Sequence, residues 1–167
     1  TQIVKDGSSV DGVFRTQNFY DGFGRGIQTR SESEDPAVQI VSGSVTFDKR
    51  GLPKEQFVPY FEAYSDHFIS PAPGTATPRL ASLPAVSFSY DALGRRTEVH
   101  FPDGTVTRVE YDDFTGRTFD AKGNPKETES DGLGRIISVT ESMADDYPRY
   151  LFPVTRYIYD AGDRLRQ

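Results

Sequence analysis

Tyr90-Asp91-Ala92-Leu93-Gly94-Arg95 is followed by Arg96-Thr97-Glu98-Val99-His100, then Phe101-Pro102-Asp103-Gly104-Thr105, then Val106-Thr107-Arg108-Val109-Glu110-Tyr111. Two turn phrases thus punctuate runs of β-branched and aromatic residues. In the first, Asp91 at the opening position of a type I turn can accept hydrogen bonds from amides further along the turn. Gly94 supplies the left-handed residue with which the chain re-enters a strand as a bulge. The phrase is a hairpin corner. In the second, Pro102 presets a turn dihedral and Gly104 can take the left-handed position. The faces select a three-residue loop here over a two-residue Asp-Gly loop. The shorter loop would pair Val99 with Arg108 and Thr97 with Glu110, mixing charge into the apolar row. The longer one pairs Phe101 with Thr105, Val99 with Thr107, Thr97 with Val109 and Arg95 with Tyr111, so neighbours match on both faces. Arg96, Glu98 and His100 then share the other face with Val106, Arg108 and Glu110.

The first phrase recurs along the chain as aromatic, Asp, two variable residues, Gly and then usually Arg. It reads Tyr20-Asp21-Gly22-Phe23-Gly24-Arg25, Phe47-Asp48-Lys49-Arg50-Gly51 and Tyr90-Asp91-Ala92-Leu93-Gly94-Arg95. It continues as Tyr111-Asp112-Asp113-Phe114-Thr115-Gly116-Arg117, Phe119-Asp120-Ala121-Lys122-Gly123-Asn124, Ser130-Asp131-Gly132-Leu133-Gly134-Arg135 and Tyr159-Asp160-Ala161-Gly162-Asp163-Arg164. Asp21, Asp48, Asp91, Asp120 and Asp131 fit the same form; Asp112 carries one residue more and Asp160 one fewer. One such hairpin buries too little apolar surface to offset its ordering entropy, so neighbouring repeats must stack.

Composition agrees. Val, Ile, Thr, Phe and Tyr number 55 of 167 residues, against 18 for Leu, Ala and Met, and Gly and Pro add 26 more. The fold class expected is all-β: repeated antiparallel hairpins forming a curved sheet strip. No apolar stretch approaches the ~18 residues of a membrane helix. A net charge of -6 argues against a nucleic-acid or anionic-lipid partner. With no Cys there is no disulfide framework, thiolate metal site or Cys nucleophile. The chain opens Thr-Gln-Ile-Val without a leader and ends just past a corner, as expected of a piece cut from a longer polypeptide.

The repeats are interrupted between Asp48 and Asp91. Residues 57–86 form an aromatic and Pro-rich insert between repeats at 1–56 and 87–167. Its first half, residues 59–68, places Tyr60, Tyr64 and Phe68 at successive steps of four after Pro59, which predicts a short helix. Its second half, residues 70–84, reads as a loop, as do residues 142–148.

The chemical constellations point away from an enzyme. His67 and His100 are the only imidazoles, and nothing in the spacing sets either beside a nucleophile and an acid. Most Asp residues stand at a turn position that already explains them, which leaves no assigned glycosidase pair. Asp145-Asp146 lacks the calcium-loop pattern, and Gly22-Phe23-Gly24-Arg25-Gly26 lacks the Gly-Lys-Ser/Thr of a phosphate loop. No cofactor is implied. The aromatics carry the real choice. Tyr20, Tyr90, Tyr111 and Tyr159 share one repeat position beside Arg25, Arg95, Arg117, Arg135 and Arg164, which suits cross-strand packing with cation–π contacts. The alternative is a row for carbohydrate or a cell-surface partner, to which Tyr60, Tyr64 and Phe68 would add.

The Tyr-Asp-x-x-Gly-Arg phrases and the Phe-Pro-Asp-Gly-Thr hairpin resemble the YD repeats of bacterial Rhs proteins and of teneurins. The succession of Tyr20 to Arg25, Val41-Ser42-Gly43, Phe47-Asp48 and Pro59-Tyr60-Phe61 is similar to the repeat region of Tc toxin B components and SpvB-like toxins. The resemblance implies a secreted or cell-surface scaffold, with a β-strip wound into a hollow shell around a toxic C-terminal region. The partners it implies are the rest of a longer chain or another subunit of a toxin complex. The family's self-cleaving module is not matched: Asp35-Pro36 is followed by Ala37-Val38, not by the expected Gly-containing phrase, so no protease residue carries over.

Overall fold

The structure is a computed structural model that describes residues 2–4, 14–71, 83–141 and 152–166. Its described residues form sixteen β-strands in antiparallel ladders, and none of them is helical. No helix among them is therefore long and apolar enough to cross a membrane. The chain divides into two compact units, Thr1–Ser87 and Phe88–Gln167.

In the first unit, β1 (Gln2–Val4), β2 (Phe14–Tyr20), β3 (Gly26–Glu32) and β4 (Val38–Ser42) form a meander, with β7 (Tyr60–Ala63) added beside β4. A hairpin of β5 (Val45–Phe47) and β6 (Pro53–Phe57) lies between them in sequence. The start of β8 (Ala85–Tyr90) pairs with β6 through Phe57 and Ala85. Val41, Phe57 and Pro71 are the buried apolar side chains among the described residues here, and they are outnumbered by buried polar ones: Gln28, Arg30, Gln39 and Ser44.

The second unit is a meander of short hairpins from the end of β8 through β9 (Arg96–His100), β10 (Val106–Asp112), β11 (Thr115–Phe119), β12 (Pro125–Ser130), β13 (Ile136–Glu141) and β14 (Val154–Arg156). A small hairpin, β15 (Ile158–Tyr159) with β16 (Leu165–Arg166), follows. The β9–β10 register pairs Val99 with Thr107 and His100 with Val106, and Phe101 N–H donates to the Thr105 carbonyl at 2.9 Å. That is the three-residue loop selected from the faces, with Gly104 left-handed at a φ of 84°.

The helix expected over residues 59–68 is not there; Tyr60–Ala63 is strand β7, paired in register with Val38–Val41. A spacing of four is close to one helical turn and is also two strand repeats, so Tyr60 and Tyr64 fit either period. The open edge of β4 supplies backbone partners that an isolated short helix would lack. Most of the loop expected at residues 70–84, and all of that at 142–148, lie outside the described residues.

Candidate functional site: the corner repeats and a buried arginine

Six corners among the described residues share one geometry. In those opened by Asp21, Asp48, Asp91, Asp120, Asp131 and Asp160, the Asp N–H donates to the carbonyl four residues on at 2.8–3.1 Å. The N–H three residues on returns to the Asp carbonyl at 2.9–3.1 Å. One carboxylate oxygen, Oδ1, then accepts two further amides. These come from Phe23, Arg50, Leu93, Lys122, Leu133 and Gly162 at 2.8–2.9 Å. They also come from Arg25, Leu52, Arg95, Asn124, Arg135 and Arg164 at 2.8–3.0 Å. A four-atom carboxylate side chain thus satisfies two amides that the turn leaves without backbone partners, which is why Asp opens each corner.

The fourth residue of each corner must take positive φ. Gly24 does so at 76°, and Gly51, Gly94, Gly123 and Gly134 follow it. The corner at Asp160, expected to be one residue short, has full length. Asp163 occupies the glycine position at a φ of 60°, and its N–H donates to the Asp160 carbonyl at 3.1 Å. Asp is one of the few residues that tolerates this conformation. The phrase at Asp112 is not a corner at all. Asp112 pairs with Thr115 and Tyr111 with Gly116, so the turn is a two-residue loop of Asp113 and Phe114, with Asp113 at a φ of 42° and Gly116 inside β11. With one residue too many between Asp and Arg, the ring of hydrogen bonds cannot close.

Strand registers slip by one residue just before three corners, at Phe19/Tyr20, Thr46/Phe47 and Glu129/Ser130. These are bulges that add local twist at each reversal. Tyr20, Phe47, Tyr90 and Tyr159 end the strands leading into their corners.

The corner arginines reach forward. Each folds its Nε onto the second carboxylate oxygen of its own corner: Arg25 on Asp21 at 2.6 Å, Arg95 on Asp91 and Arg135 on Asp131 at 2.7 Å. Its guanidinium then lies over the aromatic of the following phrase. Arg25 sits 3.7 Å from the Phe47 ring centroid, Arg95 4.2 Å from Tyr111 and Arg135 4.8 Å from Tyr159. Where that aromatic is Tyr, its hydroxyl donates to the carbonyl just after the arginine, Arg96 at 3.2 Å and Ile136 at 2.9 Å. Arg25 Nη1 also donates to the Gly51 carbonyl at 2.7 Å, and Arg135 Nη1 bonds the carboxylate of Asp163, which fills the same corner position. One phrase therefore holds the next by a single combination of cation–π and hydrogen-bond contacts. Arg117 stands outside this scheme, drawn onto Glu127 at 2.6 Å, and Arg164 stays exposed beside Asp160. At the Asp120 corner Asn124 replaces the arginine, its amide donating to Asp120 Oδ2 at 2.8 Å.

These contacts hold the carboxyls of Asp21, Asp48, Asp91, Asp120 and Asp131 below the ordinary aspartate value. The Leu52 amide does most at Asp48, the Asn124 side chain at Asp120 and the Arg135 side chain at Asp131. At Asp21 and Asp91 desolvation pushes upward, and the hydrogen bonds and charges of Arg25 and Arg95, with the turn amides, outweigh it.

Sequence reasoning missed a buried polar cluster in the first unit. Arg30 is fully buried. Its Nε donates to Gln28 Oε1 at 2.9 Å, Nη1 to Gln39 Oε1 at 3.3 Å and Nη2 to Glu62 Oε2 at 2.6 Å. Gln28 Nε2 donates in turn to Ser44 Oγ at 3.1 Å and to the Ile69 carbonyl at 2.9 Å, and Ser65 N–H donates to Gln39 Oε1 at 3.0 Å. The guanidinium and its two amide neighbours thereby fasten residues 62–69 onto β3 and β4. The alternation Gln28-x-Arg30 was visible, but polar residues at strand spacing are ordinarily assigned to solvent.

The insert aromatics differ in their settings. Tyr60 is half-buried, and that burial pushes its phenol up. Tyr64 is partly exposed, and its N–H donates to the Ala37 carbonyl at 2.9 Å. Phe68 lies 6.1 Å from the Phe19 ring. His67 and His100 pair with Asp66 and Glu98 beside them, and no group of His and acids among the described residues could hold a metal. The arrangement of the corners suits a scaffold in which one repeat positions the next.

Residues 90–118 match the family model described as RHS Repeat. No match is found among curated proteins. The fold is similar to that in the crystal structure of TcdB2-TccC3 without the hypervariable C-terminal region, with a TM-score of 0.75 at 20% identity over 93% of this chain. It is similar too to that of TcdB2-TccC3, at a TM-score of 0.74 and 21% identity. A third similar structure is the Photorhabdus luminescens Tc holotoxin pore carrying the TccC3 mutation D651A, at 0.71 and 20%. The chain spans 9% of the length of each matched chain. Residues 90–118 are thus an RHS repeat, and over 93% of its length the chain has the fold seen in those Tc toxin structures.

Proposed function

We propose that this chain is a structural wall segment of a secreted bacterial toxin of the Rhs/Tc type, part of a hollow shell enclosing a toxic C-terminal region. The observation that carries the reading is the forward coupling of the corners, Arg25 to Phe47, Arg95 to Tyr111 and Arg135 to Tyr159. Such coupling serves to propagate a strip, since each unit completes its neighbour's packing. The likeness of fold to TcdB2-TccC3 supports the same reading. In it the chain has no catalytic task of its own, and its partners are other parts of a longer polypeptide or another subunit of the complex. The domain division at residues 1–56, 57–86 and 87–167 belongs to the proposal: repeats, an insert covering one sheet face, and repeats again.

The test is the mass of the natural polypeptide, obtained by peptide mapping of producing cells and medium. A chain many times heavier than 18.6 kDa, with further Tyr-Asp-x-x-Gly-Arg phrases beside these, is expected. A mature product near 18.6 kDa overturns the reading, because so short a strip encloses nothing.

A further inference from the structure

Asp followed by Gly is the dipeptide whose backbone rearranges most readily, because glycine has no side chain to shield its nitrogen. Three such pairs fall among the described residues: Asp21-Gly22, Asp103-Gly104 and Asp131-Gly132. Asp6-Gly7 and Asp11-Gly12 lie outside them. The rearrangement begins as a cyclisation. The glycine nitrogen attacks Cγ of the protonated aspartyl carboxyl and the N–Cγ bond forms. The amide proton and the carboxyl hydroxyl leave as water. A second water then opens the cyclic imide. Cleavage of the new N–Cγ bond restores aspartate, whereas cleavage at the backbone carbonyl routes the chain through the side chain and leaves isoaspartate. One water departs and one enters, so the product has the mass of the starting chain.

Crowding does not separate the three pairs, since a Cβ on Gly22, Gly104 or Gly132 would meet nothing within 4 Å. What separates them is how the carboxyl is held. Asp21 and Asp131 are half-buried, and Oδ1 of each accepts two turn amides. Their Oδ2 atoms each take an arginine fork. Arg25 Nε and Nη2 stand 2.6 Å from Asp21, and Arg135 Nε and Nη2 stand 2.7 and 2.6 Å from Asp131. A fork fixes the carboxyl plane and favours the ionised form, which does not cyclise.

Asp103 is exposed and lies inside a turn, where no arginine follows the glycine. Its Oδ1 accepts Thr105 N–H at 2.9 Å and Thr105 Oγ1 at 2.7 Å, and its Oδ2 has no partner among the described residues. The Gly104 N–H is given to the Phe101 carbonyl at 3.0 Å. That bond joins neutral groups, so freeing the nitrogen costs less than releasing a charged fork.

We infer that Asp103-Gly104 is the isoaspartate-forming site among the described Asp-Gly pairs, and that the corner arginines protect Asp21 and Asp131 from the same reaction. The product adds a methylene to the main chain of a loop whose three-residue length sets the β9–β10 register. It also bears a free α-carboxylate, the group that an isoaspartyl methyltransferase esterifies.

The test is to age the natural polypeptide in mildly acidic buffer, both folded and in concentrated urea. Isoaspartate at each pair is read by peptide mapping and by labelling with an isoaspartyl methyltransferase. In the folded protein Asp103 is expected to convert at least about tenfold faster than Asp21 or Asp131, since a smaller local opening exposes it. In urea all three should convert at like rates. Arg135→Ala should speed conversion at Asp131 and leave Asp103 unchanged, and Thr105→Val should do the reverse. Asp21, which Arg135 does not touch, reports any general loosening of the first variant. Equal rates in the folded protein overturn the assignment. The same ratio in urea also overturns it, because neighbouring residues and not the fold would then set the rates. An Asp131 rate unmoved by Arg135→Ala overturns the protective role of the arginine.

Discussion

Below the corner at Asp21 the first unit buries Gln28, Arg30, Gln39, Val41 and Ser44, whereas below the corners at Asp91 and Asp131 no described side chain of the second unit is buried. The corners themselves are alike, down to the position of the arginine and the ring it covers. The difference lies in what rests on the sheet. Residues 60–71 return across β3 and β4 in the first unit, bringing Glu62 to Arg30 and the Ile69 carbonyl to Gln28. The second unit has no such cover among its described residues, and its order rests on ladders, corners and arginine–aromatic contacts. The corner chemistry is thus sufficient to shape a strip and does not depend on a core beneath it. The buried cluster is an addition that fixes where the insert lies.

Cutting the buried cluster should separate the two units most sharply. Arg30→Ala leaves Glu62, Gln28 and Gln39 without their partner and is expected to destabilise the chain by about 3–5 kcal/mol in urea unfolding. Arg30→Met together with Glu62→Leu removes both charges and should cost far less. A loss of similar size in the double variant would show that the cluster does more than balance charge.

The arginine–ring contacts offer a finer comparison. A double-mutant cycle of Arg25→Ala with Phe47→Leu should give a coupling of about 1–2 kcal/mol, because the guanidinium is close to the ring and partly shielded. The cycle of Arg95→Ala with Tyr111→Leu should give about 0.5–1 kcal/mol at its more open site. Equal couplings would mean that shielding by the first unit contributes nothing.

Asp163 sharpens the comparison within the second unit. Asp163→Ala, which keeps the left-handed backbone but lacks the tolerance of Asp, should cost about 1 kcal/mol. Asp163→Gly should recover that loss, apart from the exposed contact to Arg135. Thermal unfolding read from β-sheet circular dichroism distinguishes them.

The smallest effect per residue is that of pH. The carboxyls of Asp21, Asp48, Asp91, Asp120 and Asp131 are depressed in the folded state, so the contribution of each is full above the ordinary aspartate value of 3.8 and is lost as pH falls through the lower folded values. Stability should therefore decline from about pH 4 downward. Asp131→Asn should be less stable at neutral pH and show a shallower decline in acid, measured by denaturation at fixed pH steps. An unchanged acid slope would show that the Asp131 corner does not contribute.

Much of this was legible beforehand because a corner is local. Asp91, Gly94 and Arg95 lie within five residues, and every bond that closes their ring is made among them. The three-residue loop at Pro102 was legible for a related reason: a one-residue slip would have put Arg108 opposite Val99. The misreadings arose where local cues were degenerate. Steps of four at Tyr60, Tyr64 and Phe68 satisfy helix and strand alike. Gly162 beside Asp163 hid which residue takes positive φ, and the phrase at Tyr111 resembled a corner although Asp113 and Phe114 make the turn.

The sequence by itself determined the all-β class, the corners and the alternation of turn types, because short-range hydrogen bonding and strand periodicity act within a few residues. Only the tertiary structure decided that Tyr60–Ala63 is a strand, that Arg30 is buried and that Arg25, Arg95 and Arg135 each cover the next phrase's ring. Those outcomes depend on which distant segment supplies an edge, a charge or a ring. A strand at residue 40 can recruit one at residue 61 only after the chain has folded back, and the energy of that encounter is written in neither segment alone.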